Sequence, residues 1–316
     1  MLFPSHTGYG SKEGRHVKRV LSNKWSIAVF VLPTVLFFTY IVIIPIVKTL
    51  VYSLLNEIPA KVGDQSHFVG LENFITMFTP GRRNSFPGAV GNSLLYAAVS
   101  VFIQLPFSMF IALLLAGGVR GESAYRNIYF VPVVISSVVV SLLWQRIYKG
   151  LLPQVFEHFG WAIPQNGFLG NKTTKIWFSF IPSLWQYVGY HMLLMYGALK
   201  SISTDVIEAA TVDGASGAKL AFRIQIPMIK PMLKVCLSFS LIGSFKLFDT
   251  PWILLERANK DLPALSMYVE MFSNHKYSYA SAQAMFIVVE CLVFTVLLNV
   301  LFRERKENLG KELIGR

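Results

Sequence analysis

Charge is scarce in this sequence. Asp, Glu, Lys and Arg make up 15% of its 316 residues while 53% are hydrophobic, whereas an ordinary soluble domain is about a quarter charged. That imbalance excludes water as the only solvent and points to lipid. Cysteine is nearly absent as well. Cys236 and Cys291 both lie inside apolar runs, so neither a disulfide framework nor a cysteine metal site is available. His6, His16, His67, His158, His191 and His275 include no pair at metal-ligand spacing. No glycine-rich run ends in Gly-Lys-Ser/Thr, so the chain lacks a phosphate cradle of its own. Gly214-Ala215-Ser216-Gly217-Ala218-Lys219 is glycine-rich but wrongly spaced. The net charge of +12 comes from scattered Lys and Arg beside long uncharged runs, which argues against a nucleic-acid partner. Clustered titratable groups are missing too, so no catalytic residue is assigned and the chain is expected not to be an enzyme.

What is present is a series of apolar runs. Crossing a hydrocarbon core of ~30 Å as helix takes about 20 residues, and six stretches qualify: Ile27–Val47, Asn92–Ala116, Asn127–Gln145, Ile176–Leu199, Val235–Leu255 and Ala280–Phe302. None alternates apolar and polar residues as barrel strands do, so the expected fold class is an all-α membrane protein with six transmembrane helices. The first run is too long for the core of a cleaved signal peptide, and no small-residue cleavage site follows it. Placing the N-terminus inside puts 17 of the 29 Lys and Arg on the cytoplasmic side and 10 outside, which orients both termini to the cytoplasm. The segments are then a tail at 1–25, a six-span domain at 26–302 with a cytoplasmic loop at 200–231, and a tail at 303–316. Prolines at Pro33, Pro45, Pro106, Pro132, Pro182 and Pro251 lie in five of the spans. Each removes a backbone hydrogen bond and is expected to kink its helix.

Three ionisable residues lie within spans, Lys246, Asp249 and Glu290. A charge at bilayer depth costs roughly 2.5–3.5 kcal/mol on insertion scales, so each is expected to face protein or water. Lys246 and Asp249 are three apart on one helical face, either as an ion pair or beside a solute path. Glu290 is expected to hydrogen-bond within the protein interface rather than touch solute. Trp144, Trp185, Tyr187 and Phe245 can stack on sugar rings or anchor at the lipid interface.

Between the fourth and fifth spans, Ser201–Lys230 is too polar to cross. Asp205 with Glu208 has the spacing of a capping box, Gly214 can supply a left-handed helix end, and a second short helix from Ala215 is expected to stop before Pro227. Two short helices joined at a glycine make a small-residue knob, either for docking another protein or for packing under the chain's own bundle. Its Glu208-Ala209-Ala210, Asp213-Gly214-Ala215 and Ile226-Pro227 resemble the signature loop of bacterial binding-protein-dependent import permeases, in the sugar and oligosaccharide branch that includes maltose-type and glycerol-phosphate-type systems. Val69-Gly70-Leu71-Glu72-Asn73-Phe74, Gly243 to Asp249 and Tyr279-Ala280-Ser281-Ala282 are similar to further segments of that branch. Two departures stand out. The family's usual aromatic eight residues past the aspartate is Ala221 here, with Phe222 beside it, and Leu255–Pro263 lacks the common Gly-Gly-Pro turn.

The resemblance implies a type I ABC importer permease fold in the bacterial cytoplasmic membrane. It assigns Glu208, Ala209, Ala210, Asp213, Gly214, Ala215 and Pro227 to coupling with an ATPase subunit, and makes Phe245, Lys246, Asp249, Trp185 and Tyr187 candidates for the substrate path. It further implies a second permease subunit in a heterodimer, an ATPase dimer that binds ATP and Mg, an extracytoplasmic solute-binding protein, surrounding lipid, a carbohydrate substrate, and no cofactor in this chain. A glycerol phosphate is the nearest rival substrate. An ion-coupled secondary transporter would call for inverted repeats, and the sequence has no internal repeat.

Overall fold

The computed structural model describes residues 24–57, 66–79, 86–171, 174–255 and 260–302; the tails at 1–23 and 303–316 lie outside them. Two compact units result, Met1–Tyr52 and Ser53–Arg316. Among the described residues helices carry nearly everything, and the β-pairing is one isolated bridge between Leu55 and Phe68.

In chain order the long helices are α1 (Ala28–Ser53), α2 (Phe86–Ala116), the pair α3 (Glu122–Val134) and α4 (Ser137–His158), and α5 (Lys175–Lys200). They continue with α6 (Thr204–Val212), α7 (Lys230–Phe245), α8 (Asp249–Leu254) and α9 (Tyr277–Leu301). Four spans, α1, α2, Lys230–Leu254 and α9, are long and apolar enough to cross a membrane, and the bent pair α3–α4 makes five. The remaining expected span, the fourth, is α5. Its 26 residues reach about 39 Å at 1.5 Å per residue, but Gln186, Tyr187 and His191 lower its apolarity.

Two of the expected spans are not single helices. Asn127–Gln145 is broken: α3 and α4 meet at 96°, with Ile135 extended and the Ser136 hydroxyl accepting a hydrogen bond from the Val138 amide at 3.3 Å to start α4. Val235–Leu255 is interrupted because α7 ends at Phe245 and α8 begins at Asp249.

Four prolines are accommodated by a π turn, whereas Pro33, Pro132 and Pro182 lie inside α-helices. Pro45, Pro106, Pro153 and Pro227 each follow a π-helical turn. In all four the residue before the proline donates its amide five residues back, Ile44 to Thr39, Leu105 to Ser100, Leu152 to Ile147 and Ile226 to Ala221. Proline has no N–H and its ring collides with the carbonyl four residues earlier, so one extra residue in the turn moves that carbonyl aside. The helix after Gly217 therefore does not stop before Pro227; it runs on as Ile226–Met228.

The core of the second unit lies where α2, α5 and α7 meet. Leu105, Met109 and Ala112 pack on Met192, Met195 and Leu199, with Ile229 and Cys236 closing the cluster. A polar seam crosses the same helices: Ser100 bonds Gln104 and, at 2.8 Å, Ser240; Gln104 Nε2 donates to the Leu184 carbonyl at 2.9 Å and Ser108 to that of Val188 at 3.0 Å. In lipid such bonds hold helices that gain little from hydrophobic attraction. The Val69–Phe74 motif has a packing role. Gly70 takes φ +60, Asn73 Nδ2 donates to the Ser53 and Leu55 carbonyls at 3.0 and 2.7 Å, and Phe74 joins Met77, Phe86 and Ala282. Ala280, Ser281 and Ala282 are all buried, so α9 supplies the small face of that contact.

Candidate functional site

The loop after α5 folds into an elbow. α6 starts at Thr204 after Ser203 without a side-chain cap, so the Asp205/Glu208 capping box does not form. Asp205 sits inside the first turn, where its charge still suits the helix N-terminus. At the far end Gly214 adopts φ +77 and its amide bonds the Thr211 carbonyl at 3.0 Å, while the Ala215 amide bonds Ala210 at 2.9 Å. These two bonds form a Schellman end, which requires a left-handed residue at Gly214. The Lys219 ammonium donates to the Gly214 carbonyl at 3.2 Å and braces the turn.

Glu208, Ala209, Asp213, Gly214 and Pro227 are exposed, Ala210 is half-buried and Ala215 is buried. Val212 is 87% and Phe222 71% exposed, whereas Ala221 is buried. The position where the family has its aromatic thus turns inward here, and the neighbouring Phe222 turns out.

A cavity of about 390 Å³ lies among α2, α5, α7 and α8. Tyr187, Lys246 and Asp249 line it, together with Tyr96, Gln104 and Tyr190. Phe245 and Trp185 do not. Phe245 is buried against Phe294, with ring centroids 4.8 Å apart, and Trp185 packs edge-on to Trp144 at 6.0 Å. The Lys246–Asp249 pairing is not realised: Lys246 caps the end of α7, Asp249 opens α8, and the helical register joining them is lost. Among the described residues the ion pairs are Lys175–Asp261, Lys200–Glu122 and Lys260–Glu270. His191 is buried at the cavity wall and its Nδ1 has no hydrogen-bond partner among the described residues. Glu290 is buried, and its Oε2 also finds no such partner. Tyr190 and Gln104 were not candidates from sequence. Tyr190 lies three residues after Tyr187 on one face of α5, which is the signal that could have found it.

A stapled loop follows α8. Lys175 pairs with Asp261, Asn92 Nδ2 donates to the Asp261 carbonyl at 2.9 Å, and Glu270 accepts from Lys260 and, at 2.8 Å, from Asn274. Burial alone would raise the Glu270 carboxyl, but the bonds from Lys260 and Asn274 outweigh it and hold it below the usual carboxylate range. Residues 256–259 of the departing Leu255–Pro263 segment lie outside the described residues.

An apolar helical bundle with a glycine-jointed elbow and a cavity lined by tyrosines and a few polar side chains fits a membrane transport component. The chain belongs to the family of binding-protein-dependent transport system inner membrane components, whose model matches residues 104–306. Members are permease components of ABC transporters, not enzymes. Two curated relatives are similar along nearly their whole length. The sn-glycerol-3-phosphate transport system permease protein UgpA of Salmonella typhi is 29% identical over 293 residues, covering 88% of this chain and 94% of that protein. The "Probable starch degradation products transport system permease protein AmyD" of Thermoanaerobacterium thermosulfurigenes is 26% identical over 284 residues, with 88% and 94% covered. Among solved structures, a chain of a bacterial alginate ABC transporter in complex with alginate pentasaccharide-bound periplasmic protein superposes with a TM-score of 0.76 at 21% identity, covering 92% of this chain and 96% of that one. The fold is that of a type I ABC importer permease.

Proposed function

We propose that this chain is the permease subunit of an ATP-driven importer that carries carbohydrate, in particular oligosaccharide, across the cytoplasmic membrane. It pairs with a second, similar permease and docks the elbow at 208–227 on a dimer of ATPase subunits. It accepts solute from an extracytoplasmic binding protein. ATP and Mg belong to the ATPase, and both termini share the cytoplasmic side with the elbow.

The elbow carries this reading. Val212 and Phe222 stand in the open at 87% and 71% exposure, beside the exposed carboxylates of Glu208 and Asp213 on a backbone fixed by the Gly214 turn. An apolar tip rimmed by acceptors on a rigid joint suits a groove in another protein. Closure of the ATPase dimer then pushes the elbow and re-aims the helices, opening the cavity on the other side.

Carbohydrate is supported by the cavity, whose Tyr187 and Tyr190 offer ring faces while Gln104, Lys246 and Asp249 offer hydrogen bonds to hydroxyls. The names of AmyD and of the alginate transporter agree with it. A glycerol phosphate is the second reading, favoured by Lys246, a cation with no ion-pair partner among the described residues, and by the name of UgpA. The test is uptake by the complete transporter reconstituted in vesicles, offering labelled oligosaccharide and sn-glycerol 3-phosphate in parallel. Glu208→Ala is expected to abolish uptake and solute-stimulated ATP hydrolysis while the protein stays in the membrane. Unchanged uptake in that variant would overturn the docking role.

A further inference from the structure

One face of α5 holds α3 along its whole length. At the root of the elbow, the Glu122 carboxylate, first residue of α3, accepts hydrogen bonds from the Tyr196 hydroxyl and, at 3.3 Å, from the Lys200 ammonium. The side chains of Lys200 and Arg126 approach the Tyr196 ring to 5.7 and 5.5 Å from its centroid. Midway, Gly189 lies against the Tyr129 carbonyl so closely that a Cβ would stand 1.8 Å from its oxygen. At the far end, Gln186 Nε2 donates at 3.0 Å to the carbonyl of Ile135, the extended residue of the break between α3 and α4. Gln186, Gly189, Tyr196 and Lys200 recur at helical spacing, so these contacts form one stripe.

The two ends of this stripe have different neighbours. Lys200 is the last residue before the elbow. Beyond the break, Ser136 caps α4 and Ser137 lines the cavity. We propose that α3 and α5 move as one lever, with Glu122 and Tyr196 as the positioning residues that fasten the root of the elbow to α3. Displacement of the elbow then bends the chain at Ile135–Ser136 and moves the cavity wall at Ser137. The inference rests on the elbow receiving the thrust of the ATPase, as proposed above. A helix broken beside a cavity and clamped to its neighbour on the other side of the break has the parts of a hinge with two discrete settings. The clamp is polar at the elbow end, where the helices must stay registered, and sterically tight in the middle, where sliding would collide.

The test measures solute imported per ATP hydrolysed in the complete transporter reconstituted in vesicles with solute-loaded binding protein. Tyr196→Phe removes one hydroxyl and keeps the shape of the ring; Glu122→Gln removes the charge. Both are expected to hydrolyse ATP at close to the unmodified rate while solute per ATP falls at least tenfold, and Glu122→Asp is expected to restore most of the ratio. A ratio equal to that of the unmodified transporter overturns the proposal, whether both rates are unchanged or fall together. Should Glu122→Gln fail to assemble, Tyr196→Phe decides. Failure of the docking role would appear elsewhere: Glu208→Ala would then leave both rates at their unmodified values, independently of the ratio in the clamp variants.

Discussion

Gly189 and Tyr129 meet backbone to backbone. A Cβ on Gly189 would lie 1.8 Å from the Tyr129 oxygen and 2.5 Å from its carbonyl carbon, and neither atom belongs to a flexible side chain that could swing away. Small residues at helix contacts in lipid permit this approach.

Gly189→Ala is therefore expected to force α3 and α5 apart. Overpacking costs typically 1–3 kcal/mol, and the atoms a Cβ would meet here are main chain of Tyr129 and Phe130. A clear drop in the melting temperature of the detergent-solubilised protein is the expected result. Gly243→Ala serves as the control, because a Cβ there meets nothing within 4 Å.

At Gly214 the cost has another origin. A Cβ would touch nothing, but φ is +77, a conformation that costs a non-glycine residue roughly 1–2 kcal/mol. Asn tolerates it better than Val, whose branched Cβ makes positive φ an outlier. Uptake in the reconstituted transporter is thus expected to fall in the order Gly214, Gly214→Asn, Gly214→Ala, Gly214→Val.

Lys246 and Asp249 line one cavity without pairing. Single substitutions at either, Lys246→Gln or Asp249→Asn, are expected to lower solute uptake. The charge-swapped double variant, Lys246→Asp with Asp249→Lys, is expected to restore none of it. Recovery in the swap would mean that the two side chains work as an ion pair.

Glu270 sets a pH dependence. Its folded-state carboxyl lies below the ordinary carboxylate value, so its contribution to stability is complete above that ordinary value. The contribution is lost as pH falls through the lower folded one. Glu270→Gln is expected to melt at a lower temperature than the unmodified protein near neutral pH, with the two curves converging in acid below the carboxylate range. A difference that grows on acidification would contradict the sign.

Much of the site was legible in the chain because local rules wrote it. The Glu-Ala-Ala and Asp-Gly-Ala run predicts an elbow, and Gly214 ends its helix as the sequence requires, since only a residue at ease with positive φ can close a Schellman turn. The capping box failed because two helix-favouring oxygens at the right spacing do not oblige the backbone to start between them; the cap falls at Ser203, two residues before Asp205. Pro227 misled for a related reason. Proline forbids an ordinary turn, and a π turn from Ala221 absorbed it. Aromatic candidates divided on what they pack against: Tyr187 faces the cavity, whereas the similarly exposed Trp185 packs on Trp144 and the buried Phe245 on Phe294.

Sequence by itself determined that the chain lives in lipid, that it is built from long helices, and that a glycine-jointed elbow interrupts them, because hydrophobic run length and backbone preference act over neighbouring residues. Tertiary structure alone decided that the third span breaks at Ile135–Ser136, that Lys246 and Asp249 part across a helix end, and that α3 rides on α5 through Glu122, Gly189 and Gln186. Each of those depends on which residue, distant in the chain, offers a carbonyl, a donor or an empty space, and that is set only when helices pack.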